Sequence, residues 1–275
     1  MTSAIVVAFL WLIFGGSHIA LAAVRERLVS RLGEIGFVAL FYVVAAATFA
    51  ALVTYYAGHR FEGAPGIALA GIPALRWLLM AVAVFGITLM VPALVSYPQM
   101  PSALFGQPIR SPRGIEKITR HPFFAGMGIF AIAHMLVAPH LVGTVFFGGL
   151  LLLVVVGAAH QDRKLLARRG AAYADYLAST SAVPFAALLS GRQRLTRRDL
   201  PIGTLGFGVA CALALRQWHD TLFADRGAWI IGVVLVGALV AGLNALRRSR
   251  RLTDGSAIGA TAGADRSAAA GWRSR

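Results

Sequence analysis

A helix in water needs a polar face, and most of the long apolar stretches in this sequence have none. Runs of that kind occupy residues 5–24, 36–57, 74–95, 123–138, 141–159, 202–215 and 228–246. A helix of roughly 17–25 apolar residues crosses a hydrocarbon core about 30 Å thick. In lipid the backbone must satisfy its own hydrogen bonds, so such runs fold as helices. The chain therefore predicts an all-α fold: a multi-pass integral membrane helix bundle of about seven transmembrane helices. The fourth run is short, and Pro139 after it predicts a sharp hairpin into the fifth. Apolar character fades in the sixth after Leu215.

Charge gives the orientation. Only 13% of residues are charged and 58% are hydrophobic, where a soluble domain carries about a quarter charged residues. A net charge of +15 points to nucleic acid in a soluble protein, but basic loops on the cytoplasmic face account for it here. With the N-terminus outside, 22 of the 26 Lys and Arg residues fall in inside segments, leaving Arg60, Arg76, Arg216 and Arg226 outside. The expected partners are membrane lipids and an apolar, lipid-soluble substrate rather than nucleic acid. The expected location is a bacterial inner (plasma) membrane. No cleaved secretory signal is expected, because no basic residue precedes the first run. Cys211 is the single cysteine, which excludes an intrachain disulfide and a multi-cysteine metal site.

The longest inside loop, 160–200, alternates Asp162, Arg163, Lys164, Arg168 and Arg169 with Leu165, Leu166, Tyr173, Tyr176 and Leu177 at helical spacing. It predicts an amphipathic helix lying on anionic lipid, or, as the sharper alternative, one that contacts a substrate or partner. A transmembrane domain over 1–246 is followed by a Gly-, Ala-, Ser- and Arg-rich tail, 247–275, expected to be disordered and basic.

Seven histidines carry what chemistry the sequence offers. His134 stands within an apolar run, where an ionisable side chain is expensive and marks function by default. Helix rise places His18 roughly 10 Å outward from Arg25 and His134 about 18 Å outward from Pro122. His18 lies among Phe14, Gly15, Ser17 and Ala22, small enough neighbours either for close helix packing or for a flat cofactor such as haem. His59 and His140 belong at the outer edge, His121 and His160 at the inner. His219 follows the sixth run, and its removal is expected to leave a haem spectrum unchanged. Pro122 suits the first turn of a helix, so Arg120, His121 and Pro122 shape an inner mouth, with His121 either capping the helix or meeting a polar group from the cytosol. Thirteen residues separate His121 from His134, which turns them about 140° apart. The carboxylates, Asp162 among them, sit at loops or helix ends with no intramembrane pair, which disfavours paired-acid hydrolysis and a carboxylate proton relay.

Several short stretches in order resemble the NnrU family, which includes the 15-cis-zeta-carotene isomerases. They are His18 within GGSHIALAAVRERL, GHRFEG at 58–63, GIEKITRHP at 114–122, Ala133-His134, QDRKLLARRG at 161–170 and TSAVPFAALLSGRQRL at 180–195. Together they span about residues 10–195. The resemblance implies a membrane enzyme with haem b that isomerises the central cis bond of a carotene. It implies His18, His134 and His59 as cofactor-binding candidates, with His18 and His134 ranked first as the iron ligands and catalytic pair, and His134 with His59 second. One departure stands out: the isomerase pattern has a cysteine where this chain has Ala131. The family name itself comes from denitrification, which implies an alternative, a non-catalytic haem-binding accessory protein supporting nitrite and nitric oxide reductase activity. The RHP step and Tyr173/Tyr176 also resemble the isoprenylcysteine methyltransferases, although His160-Gln161-Asp162 replaces their acidic pair. That reading ranks third.

Overall fold

The computed structural model describes residues 1–96 and 108–240. Within them the chain is helical, with one isolated bridge between Pro65 and His140. The order is α1 (Thr2–Ala23), α2 (Arg25–His59), α3 (Pro73–Ser96), α4 (Pro122–Val137), α5 (Leu141–Arg169), α6 (Ala171–Ser179), α7 (Ala186–Leu189), α8 (Ile202–Gln217) and α9 (His219–Leu222). Helical backbone resumes over 228–240. The end of the seventh expected run and the 247–275 tail lie outside the described residues.

Four helices are long and apolar enough to cross a membrane: Thr2–Ala23, Arg25–His59, Pro73–Leu94 and Leu141–Arg169. The helices α4 and α8 are apolar but have 16 residues each. At the α-helical rise that is roughly 24 Å, short of a core of about 30 Å. Along α1, Ile5, Leu12 and Ile19 recur every seventh residue and are 63%, 71% and 66% exposed. A stripe of that kind is unfavourable against water and suited to hydrocarbon.

Local breaks follow the sequence. Gly33 adopts φ 69° and ψ 171° inside α2, a conformation only glycine takes without steric cost. It separates a polar first stretch, tied by an Arg25–Glu34 ion pair, from the apolar body predicted to begin at residue 36. The predicted hairpin at Pro139 is present. Its turn pairs with the α2–α3 loop through Gly66 N–H to Pro139 O (2.9 Å), Ala68 N–H to Ala138 O (3.0 Å) and Leu141 N–H to Ala64 O (2.8 Å). These contacts define a hairpin end of the bundle.

Packing sets which helices are neighbours. The helix α1 packs on α2 and α5, α4 packs on α3 and α5, and α8 packs on α3. So α5 stands between α1 and α4. The largest core cluster joins Val7, Leu52, Val53, Tyr56, Val142, Phe146 and Phe147 from α1, α2 and α5.

The opposite, basic end departs from expectation. No surface-lying helix forms over 160–177. Instead α5 runs on to Arg169, Gly170 turns the chain, and α6 folds back. Leu165, Tyr173 and Tyr176 are buried at 0%, 0% and 3% exposure, packed with Ile109 and Leu177. Leu165, Tyr173 and Tyr176 face protein, because the stretch before α4 offers them a second surface, while Leu166 stays 42% exposed.

Candidate functional site

At the basic end the chain leading into α4, which includes a 3-10 turn over Gly114–Lys117, is held by the loop that follows α6. Arg120 N–H donates to Ser181 O (2.8 Å), Phe185 N–H to Ile118 O (2.8 Å), and the Thr119 hydroxyl to Ala182 O (2.9 Å). Lys117 Nζ lies 2.9 Å from Asp199 Oδ1. This path delivers Arg120 and His121 to Asp162 on α5. Arg120 donates to Asp162 Oδ2 through Nε (3.0 Å) and Nη2 (2.7 Å). His121 Nε2 lies 3.0 Å from Oδ1, and the Tyr173 hydroxyl donates to the same oxygen at 2.6 Å. An ionised carboxylate can only accept, so His121 carries its proton on Nε2 in this contact. Pro122 takes the first helical position.

His121 is therefore buried (4% exposed) and makes no side-chain cap; the polar group it meets is this chain's own Asp162, not one from the cytosol. Asp162, read from sequence only as an acid at a loop or helix end, lies on α5, and its carboxylate takes four hydrogen bonds from three residues on two other segments, the chain entering α4 and α6. Beside it, Arg110 holds buried Glu116 bidentately at 2.7 and 2.9 Å. The sequence marked Arg120, His121 and Tyr173 of this hub; for Asp162 it offered only an acid just past the apolar run, with Tyr173 three turns later.

Burial, followed by the bond to Asp162, pushes the Tyr173 phenol well above its ordinary value. Burial, followed by Glu116, does the same at Tyr176. Both phenols stay protonated across the physiological range. Their hydrogen bonding differs: the buried Tyr176 hydroxyl has no partner among the described residues, while Tyr173 donates a charge-assisted bond. Tyr173→Phe is accordingly expected to cost about 1–3 kcal/mol, and Tyr176→Phe to be neutral or stabilising. Thermal unfolding of the two variants in detergent checks this; an equal loss at both positions would contradict it.

The three candidate ligand histidines, each half-buried, sit apart from this network. His18 Nδ1 meets Phe14 O at 2.7 Å and its ring packs against Phe14 and Phe41. His59, in the last turn of α2, meets Tyr55 O at 2.8 Å and stacks on Tyr55. It lines a groove of about 740 Å³ with Ala50, Ala51, Thr54, Gly58 and Arg226. His134, in the last turn of α4, meets Phe130 O at 3.0 Å and packs on Phe130 and Phe147. All three share one geometry: Nδ1 points to the carbonyl four residues back, which leaves Nε2 as the nitrogen open to a metal. That donor chemistry fits an axial imidazole ligand to haem iron. The helices of His18 and His134 are separated by α5. The rings of Phe14, Trp11, Phe146 and Phe147 form the contact path between the two. Ala131, one turn before His134, is 0% exposed, so carbon fills the place of the isomerase cysteine. Among the described residues no group of three or more His, Cys, Asp or Glu converges on one point.

The model of the NnrU protein family matches residues 5–243. The chain belongs to the NnrU family. The 15-cis-zeta-carotene isomerase, chloroplastic, of Zea mays is 28% identical over 193 residues, covering 70% of this chain and 53% of that protein. Its counterpart from Arabidopsis thaliana is 30% identical over 193 residues, covering 67% and 50%. This NnrU chain thus spans about half the length of the curated relatives it matches. No solved structure matches it. Within the family match lie both the polar hub around Asp162 and the three candidate ligand histidines.

Proposed function

We propose that this NnrU protein is a haem b-dependent cis–trans isomerase of a lipid-soluble polyene such as 15-cis-zeta-carotene. We place it in a bacterial inner membrane as a seven-span bundle with its N-terminus outside. The observation that carries the reading is the match to two carotene isomerases over 193 residues. The helix count rests on four long apolar helices, the shorter α4 and α8, and the run beginning at 228; the orientation rests on the sidedness of Lys and Arg.

His134 is the first candidate ligand, with His18 and His59 as the other histidines drawn from the family pattern. The chemistry haem iron supplies in such a site is acceptance of π electron density from the double bond, which lowers the barrier to rotation. The chain's part is to hold and to exclude. Phe130 and Phe147 pack the His134 ring and keep water from it, and the Phe130 carbonyl holds Nδ1. At the basic end, Arg120, His121 and Pro122, locked by Asp162, shape the mouth on that side.

A pyridine haemochrome assay on protein purified after haem-replete expression tests the cofactor, and feeding 15-cis carotene to an expressing strain tests the reaction. We expect b-type haem and conversion to the trans product, both lost in His134→Ala. Haem without conversion would favour the accessory reading in denitrification, and absence of haem would end the ligand assignment.

A further inference from the structure

The groove beside the end of α2 has a shape and a polarity that isomerisation does not use. Its wall on α2 is Ala50, Ala51, Thr54, Tyr55, Gly58 and His59, whose spacing places them on one face of the helix. At the helical rise this face is roughly 14 Å long, the depth of one leaflet of a core about 30 Å thick. Ala50, Ala51 and Gly58 leave it without long side chains along its floor. Polar groups gather towards the hairpin end. His59 turns Nδ1 to the Tyr55 carbonyl, and Arg226 enters from the turn Ala224–Gly227.

That turn is strained where it presents the guanidinium. Asp225 and Arg226 both have left-handed backbone, with φ 49° and 56°, a conformation costly for residues that carry a Cβ. Gly227 follows at φ 79° and lies so close to α2 that an added Cβ would be 2.7 Å from Val53 Cγ1. Arg60 fastens the start of the turn to α2 by donating to Phe223 O (3.2 Å) and Ala57 O (2.8 Å). Arg226 itself makes no hydrogen bond or ion pair among the described residues, with its neighbour Asp225 or any other. The carboxylates of Glu62 and Asp220, at the same end, face Ser3 and His219. The groove therefore ends in uncompensated positive charge.

We propose that this groove binds one acidic phospholipid, its phosphate on Arg226 and one acyl chain along Ala50, Ala51 and Gly58. A guanidinium pairs with phosphate oxygens through parallel N–H bonds, and the small-residue floor leaves room for a chain lying against the helix. A hydrocarbon polyene offers the polar end nothing, and a soluble anion offers the apolar floor nothing. The proposal rests on the membrane reading above and is independent of haem and of the reaction.

Native mass spectrometry of the full-length protein in neutral detergent, titrated with dioleoyl phosphatidylglycerol or dioleoyl phosphatidylcholine, reads the affinity for each lipid. Wild type is expected to hold one phosphatidylglycerol about tenfold more tightly than phosphatidylcholine. Arg226→Gln should abolish that preference, and Arg226→Lys should keep most of it. Ala51→Phe should weaken both lipids by filling the groove. Arg216→Gln, at another exposed arginine beyond the end of an apolar run, should leave binding unchanged. Arg226 and Ala51 are exposed too, so these variants keep the fold, as gel filtration and circular dichroism will confirm. Equal affinity of wild type for the two lipids overturns the proposal. So does an Arg216→Gln loss equal to that of Arg226→Gln, which would assign the preference to diffuse charge. Protein that stays soluble without membrane or detergent overturns the membrane reading itself, an outcome distinct from either.

Discussion

Asp162→Ala is expected to destabilise the protein by about 3–5 kcal/mol, because it leaves the Arg120 guanidinium partly buried with no counter-charge. The Arg120 and Asp162 side chains are 15% and 16% exposed, well inside the range where solvent screening is weak. The same substitution strands the His121 Nε2–H and the Tyr173 hydroxyl. Asp162 is also what joins α5 to the chain entering α4 and to α6, so the loss should open the whole basic end rather than one contact. Asp162→Asn keeps the shape and one acceptor oxygen and should fall between wild type and alanine. A double-mutant cycle with Arg120→Ala isolates the pair: the double variant should be less damaged than the two singles added together. Thermal unfolding in one detergent reads all four proteins. A loss at Asp162→Ala below about 1 kcal/mol would show the pair to behave as a solvated surface bridge.

Gly86→Val is the second large expected effect, and its cause is steric. At Gly86 an added Cβ would lie 2.6 Å from the Gly126 carbonyl oxygen and 2.8 Å from the Phe130 backbone nitrogen. Both are backbone atoms of α4 and cannot rotate away. Small residues facing each other across two helices are what allows such an approach, and overpacking it costs about 1–3 kcal/mol or more. Valine adds further bulk at a point that cannot take the first methyl group. Phe130 lies at this crossing and carries both the carbonyl and the ring that hold His134, so a displaced α4 should also lower haem content if haem is bound. Gly15→Ala is the matched control. Nothing lies within 4 Å of its added Cβ, and the exchange in a helix interior should stabilise by up to about 1 kcal/mol. Equal effects at Gly86 and Gly15 would contradict the close-approach argument.

Much of the fold was legible before any coordinates. The predicted starts of the first, third, fifth and sixth apolar runs fall within a few residues of α1, α3, α5 and α8, and Pro139 makes the expected hairpin. The second run's predicted start at 36 follows Gly33, whose left-handed φ is the physical break. The segment 160–177 was misread for an instructive reason. Amphipathic spacing shows that one face is apolar, but not whether lipid or protein covers it. The stretch from Ile109 to His121 supplied protein. The candidate site was legible in part. His121 was singled out, but Asp162 was set aside because a lone acid at a helix end gives no sign that two other segments converge on it.

By itself the sequence determined the helical class, the apolar helices and the family, because hydropathy, helix punctuation and short motifs are local properties of neighbouring residues. Only the tertiary structure decided which helix lies between which others. That order put α5 between His18 and His134, brought His219 to within 6.3 Å of His134, and gathered Arg120, His121 and Tyr173 on Asp162. Such contacts depend on the rotation and sequence of packed helices, set by small-residue crossings such as Gly86 on Gly126 and by returning loops. No stretch of sequence contains that information alone.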